Sequence, residues 1–263
     1  MTDEVLQIER RGEVEWVTLN RPDRLNALNA ELTEALTSCF ARLYHDHSAR
    51  VVVLRGAGRA FCAGLDLQGF EDAPPANSDI FSVQTRIRDI YKAMRRCPQP
   101  IVSLIRGPAC GGGLSLALAS DIRIASKSAR FNAAYIRIGL TGCDMGSSYF
   151  LPRLVGLSVA SDMLLTGRFV EADEALAVRL VSRIVDEEVL DGAADDLIEH
   201  MLTNAPLGLK LTKDAINWSV DAPSLDAAMA MEDRQQILTA QTGDHEEAKA
   251  AFMEKRRPVY KGR

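Results

Sequence analysis

Residues Ile101–Ser126 read IVSLIRGPACGGGLSLALASDIRIAS, and their order decides the fold class. The first five are continuously apolar, as a strand buried on both faces is. They open into Arg106–Gly113, RGPACGGG, where glycine allows a tight turn and a close approach of backbone N–H groups to a ligand. A helical stretch follows. The same grammar occurs upstream, where Val51–Leu54 runs into Arg55–Gly64, RGAGRAFCAG. Apolar strand, glycine turn and helix, used twice, predict an α/β fold with its ligand outside the strand ends.

Working outward, Val5–Glu9 and Glu13–Leu19 read as further strands, and helical periodicity covers Ala30–Tyr44 and Ile80–Arg95. Between them lies Glu71–Ser78, EDAPPANS, whose polar, proline-rich composition predicts a mobile loop. Beyond residue 188 strand patterns cease. Helices are expected from Asp191 onward, at Leu207–Trp218, at Ser224–Thr239, and at Ala248–Arg256 behind a capping-box pair, Asp244 and Glu247. The expected organisation is a core over residues 1–188 and an all-helical region over residues 189–263.

Composition excludes several classes. With 263 residues, 47% hydrophobic and 25% charged, the chain is neither disordered nor fibrous. Its 31 basic and 36 acidic residues, net charge −5, supply no overall basic field for nucleic acid. The five cysteines are scattered, odd in number and free of C-x-x-C pairs, which predicts reduced thiols and a cytoplasmic protein. No run reaches the ~18 apolar residues of a membrane span.

Several motifs bear residues capable of chemistry. Gly107–Gly113 is neither G-x-G-x-x-G nor a phosphate loop with its lysine, so dinucleotide and nucleoside-triphosphate readings lack their required residues. Ser115, in Gly113–Ala117, makes a poor nucleophile elbow because several glycines separate it from the strand. His45 and His47, two apart, do not share a helix face and suit a solvated helix end better than a metal, and no metal is expected. His200 and His245 sit in charged helical contexts. The tail EKRRPVYKGR, residues 254–263, is a solvated terminus or a phosphate grip.

Four ordered segments, NRPDRLNALN, RAFCAGLDL, GPACGGGLSLALASDIRIAS and AFMEKRR, resemble the enoyl-CoA hydratase/isomerase family, the crotonases, along about Val5–Tyr260. That resemblance implies a spiral of ββα units with a C-terminal helical oligomerisation region, assembled as a homotrimer or as a hexamer of two trimers. It implies an acyl-CoA substrate and no cofactor beyond the coenzyme A carried by that substrate. By position, Ala63 and Gly112 would supply the two N–H groups of an oxyanion hole. Leu25, Ala63, Gly64, Leu65 and Asp66 would line the coenzyme A path, and Phe252 and Lys255 would reach the adenine, often from a neighbouring subunit. Arg24, Arg55 and Arg59 would be further phosphate partners, whereas hydrogen bonding within the fold is the expected role of Asp66 and Asp121.

The chain departs from the family's pattern at two positions. Hydratases of the family use two glutamates, and here those places hold Ser115 and Tyr135. Adding water across a double bond requires one group to deprotonate the water and another to protonate carbon, and neither hydroxyl is a good base near neutral pH. Asp144, eight residues before Pro152, matches the aspartate of the family's dienoyl-CoA isomerases after a one-residue insertion. Capping a helix over residues 145–154 is its other expected role. The favoured reading is proton-shuttle isomerisation by Ala63, Gly112 and Asp144. A hydratase with rearranged residues, a thioester hydrolase and a non-catalytic thioester binder are the alternatives.

Overall fold

The computed structural model describes residues 4–68 and 80–262, with only the backbone at Ile80 and Phe81. The stretch Glu71–Ser78 lies outside the described residues. Strands β1 (Leu6–Arg11) and β2 (Val14–Leu19) form a hairpin across a two-residue turn, where Gly12 takes φ +59°. That pairing carries β1 past the expected Glu9. Helix α1 (Ala30–His45) follows, its N-cap Asn29 accepting a bond from the Leu32 N–H at 2.9 Å. Then come β3 (Val51–Gly56), α2 (Ile80–Arg96), β4 (Ile101–Ile105), β5 (Pro108–Cys110) and α3 (Gly112–Ala119). The chain continues through β6 (Ile122–Ser126), β7 (Arg130–Asn132), α4 (Ser147–Val155), α5 (Leu157–Thr166), β8 (Val170–Glu171), α6 (Ala172–Ala177) and β9 (Arg183–Val185).

The larger sheet has the order β1-β2-β3-β4-β6-β9, parallel except for its β1-β2 edge, and the smaller is β5-β7-β8. Single parallel bridges extend the smaller layer, Cys62 to Ala109 and Leu28 to Leu65. Each circuit of the chain therefore lays one strand in the large sheet, one short segment in the small layer, and a helix outside. This is the expected spiral of ββα units. The small layer's strands are two or three residues long, too short for periodicity to reveal.

Alternation along the strands divides the core. Val17, Leu19, Val52, Leu54, Ile101 and Ile105 face α1, α2 and α3, while Val14, Trp16, Val51, Val53, Val102 and Leu104 face the other way. Leu190, Ala194 and Ile198 cover that second face, so the central strands are buried on both sides. Past β9 only helices follow among the described residues: α7 (Asp195–Leu202), α8 (Pro206–Ser219), α9 (Leu225–Ala240) and α10 (Gly243–Glu254). Helix α8 is pinned to the core by buried Lys213, which pairs with Asp121 at 2.8 Å and donates to the Gln99 carbonyl at 2.8 Å. Asp121 also holds Arg95 at 2.9 Å and the Ile101 N–H at 2.8 Å, the structural role expected of it. The capping-box expectation at α10 fails. Thr242 is the cap, while Asp244 accepts the Lys261 and Gly262 N–H groups and Glu247 grips Arg256.

Candidate active site

Three turns meet where the inner layer ends. The first, residues 21–28, contains two consecutive non-glycine residues in the left-handed region, Leu25 at φ +51° and Asn26 at +56°. Asn26 makes this conformation tenable. Fully buried, it accepts the Arg21 N–H at 2.8 Å and donates to the Ala57 and Ala60 carbonyls at 2.9 and 2.8 Å. The turn is thereby locked to the second one, residues 57–66, and Arg21 pairs with Asp66 at 2.8 Å. Asp66 thus serves the scaffold, as expected.

The second turn corrects one expectation. The Ala63 N–H donates to the Leu25 carbonyl at 2.9 Å, so it already has its acceptor and is not a free oxyanion donor. Cys62 faces β5, its N–H bonding the Pro108 carbonyl and its carbonyl accepting the Cys110 N–H, each at 3.0 Å. The Gly64 carbonyl and the Asp66 N–H face Leu28, at 2.7 and 2.9 Å. Gly64, at φ +102°, breaks the alternation of the strand and leaves Leu65 turned back toward the glycine triplet. Among the described residues the Leu65 N–H has no protein acceptor. It is the donor that counting along the motif missed.

The third turn is Gly111–Gly113. Gly112 begins α3, where the first N–H groups of a helix have no partner within it. A Cβ on Gly64 would lie 3.6 Å from the Gly112 nitrogen and 2.9 Å from the Cys110 carbonyl oxygen, so glycine there leaves this nitrogen uncovered. A Cβ on Gly113 would meet the Cys62 carbonyl at 2.1 Å, which holds the second and third turns in contact. Two backbone donors, on Leu65 and Gly112, thus flank one spot at the end of the inner layer.

Around this spot stand the groups that carry protons. Ser115, one turn along α3, bonds Tyr135 through their hydroxyls at 2.7 Å, both buried. Burial raises the Tyr135 phenol well above its ordinary range, a shift the Ser115 bond opposes and the Asp144 charge reinforces. Asp144 is partly exposed, and its carboxylate accepts from the Gln84 amide at 2.6 Å and the Met145 N–H at 2.7 Å. The plain N-cap reading of Asp144 is overturned, because α4 starts at Ser147 behind the cap Gly146, with no side-chain cap bond. Between them Met145 takes φ +50°, a conformation costly for a side chain with a Cβ and one that concentrates at functional turns. Tyr91 secures this turn to the triplet, its hydroxyl bonding the Gly112 carbonyl at 3.1 Å and the Met145 sulfur at 3.0 Å.

The remaining expected residues scatter. Phe252 is 83% exposed on α10 beside Lys255, and among the described residues no hydrogen bond or ion pair joins either to the Ala63–Asp66 turn. Arg55 pairs with Asp191 at 2.8 Å and lies over Trp16. Arg24 reaches Gln68 at 2.8 Å, next to the Leu25 turn, and Arg59 is exposed on the adjoining loop. Among the described residues no cluster of His, Cys, Asp and Glu could hold a metal, and His47 contacts Lys210. Ser115 has a phenol rather than a histidine beside it, so no nucleophile-base pair forms.

The fold and site define an α/β protein whose inner layer ends in paired backbone donors beside the Asp144 carboxylate. Residues 9–263 match the family model for enoyl-CoA hydratase/isomerase, and the chain belongs to that family of enzymes. It is 42% identical to a probable enoyl-CoA hydratase of Mycobacterium leprae, covering 98% of this chain and 90% of that protein. It is 35% identical to the 1,2-epoxyphenylacetyl-CoA isomerase of Escherichia coli over the full length of both. The crystal structure of a probable enoyl-CoA hydratase/isomerase from Mycobacterium abscessus superposes with a TM-score of 0.89 at 38% identity, covering 98% of this chain and 99% of that one.

Proposed function

We propose that this family member isomerises the double bond of an enoyl-CoA thioester, with the Leu65 and Gly112 N–H groups binding the thioester oxygen and Asp144 moving the proton. The observation that carries this reading is the pairing of Ser115 with Tyr135, two neutral hydroxyls, together with the carboxylate of Asp144. For a 3-enoyl thioester, Asp144 takes the proton from C2. The C–H electron pair forms a C1–C2 double bond, and the carbonyl electrons move to oxygen. Collapse of this dienolate forms the C2–C3 double bond, and the former C3–C4 electrons take the proton back from Asp144 at C4. Atoms balance without water. Each preorganised donor is worth about 2.7–4 kcal/mol to the developing oxyanion.

Asp144→Asn tests the reading. Turnover is expected to fall about 10²-fold or more while the thioester still binds; an unchanged rate would remove Asp144 from the mechanism. A hydratase with rearranged residues is the second reading, favoured by the hydratase name of the Mycobacterium leprae relative. It requires water addition to a 2-enoyl thioester. The assembly proposed with this activity is a homotrimer or hexamer, in which a neighbour's Phe252 and Lys255 complete the coenzyme A path. The exposure of Phe252, Met253, Leu157 and Leu165, each above 70%, supports it.

A further inference from the structure

The Ser115 and Tyr135 hydroxyls carry two hydrogens, and the 2.7 Å bond between them uses one, whichever oxygen donates it. Among the described residues neither oxygen has another hydrogen-bond partner. Ser115 is fully buried and Tyr135 is 6% exposed, so one O–H is held out of water without an acceptor. A buried donor left unpaired is costly, and a ligand that supplies an acceptor recovers that cost on binding. The Tyr135 ring also closes on the glycine turn, its Cε1 lying 3.4 Å from where a Cβ of Gly111 would stand.

Ser115 follows Gly112 by three residues in α3, so both lie on one side of the helix, separated by ~4.5 Å of rise. The polarity of the pair matters as much as its place. Two ionised carboxylates can only accept hydrogen bonds and so favour water or an alcohol, whereas this hydroxyl pair has a hydrogen to give.

We propose that the Ser115–Tyr135 pair stands beside the β carbon of a thioester held on the Gly112 N–H and, besides the enoyl substrate, accepts acyl-CoA thioesters whose chain carries an acceptor-only oxygen, such as a ketone or an epoxide, at that carbon. The inference rests on the acyl-CoA reading above. It is tested by calorimetric titration of the full-length protein with acetoacetyl-CoA and with butyryl-CoA, which differ by the β oxygen. The wild type is expected to bind acetoacetyl-CoA about three- to tenfold more tightly, the worth of one neutral hydrogen bond. Tyr135→Phe and Ser115→Ala should each bring the ratio toward unity. Because the ratio is read within one protein, a general loss of folding does not imitate a loss of preference. Equal wild-type affinities, or a ratio that survives in both variants, would overturn this proposal alone. Failure of the wild type to bind either thioester would overturn the acyl-CoA reading with it.

Discussion

Cys143 precedes the proposed proton carrier and is exposed, whereas Cys39, Cys62, Cys97 and Cys110 are buried. Burial pushes the Cys39 and Cys62 thiols up to about 12 and Cys110 up to about 11. Such thiols hold their protons more firmly folded than unfolded. They favour the fold below the ordinary thiol range, and that contribution is lost as the pH rises toward their folded values. At pH 8 a thiol reagent should therefore titrate one cysteine rapidly in the native protein and all five after denaturation. Rapid labelling of more than one native thiol would contradict this burial pattern. At the same scale, Ser115 and Tyr135 in place of the family's two glutamates, and Asp144 as the proposed proton carrier, were legible only through the family resemblance. The Leu65 donor was not, since it depends on where Gly64 breaks a backbone alternation that no side chain reports.

The turn at residues 21–28 is the element on which the site's geometry depends. Asn26 ties it to the Ala57 and Ala60 carbonyls, and Leu25 in turn accepts the Ala63 N–H. Asn26→Ala strands buried polar groups and keeps a Cβ in the left-handed region, so a loss of about 2–4 kcal/mol is expected in urea unfolding. Turnover should fall with it, because the Leu65 donor is positioned through the same turn. Unfolding at the wild-type midpoint would show that the turn holds itself. Helices α1, α2, α8 and α9 and strands β1 to β4 were readable from periodicity to within a residue or two, whereas α7 and α10 begin away from their expected Asp191 and Ala248, at Asp195 and Gly243, and α5 was not anticipated. β5, β7 and β8, with two or three residues each, were not, because they are defined by their pairing.

For the whole molecule, both faces of the large sheet are covered, yet Leu157, Leu165, Trp218, Leu225, Phe252 and Met253 remain more than 60% exposed. With a chain mass of 28.8 kDa, sedimentation should give three or six times that value, and a monomer at micromolar concentration would contradict the proposed assembly. The α/β class was legible from the strand and glycine-turn grammar, and the spiral only through the family resemblance. The assembly was not, since symmetry depends on how exposed faces meet between chains. The central claim is that one carboxylate and two backbone donors move a proton without adding water. Its most direct test is incubation of the purified protein with 2-enoyl-, 3-enoyl- and dienoyl-CoA thioesters in D₂O, followed by mass spectrometry. The account predicts deuterium incorporation or double-bond migration with no adduct of water. Prompt water addition as the main reaction, without migration, would contradict it.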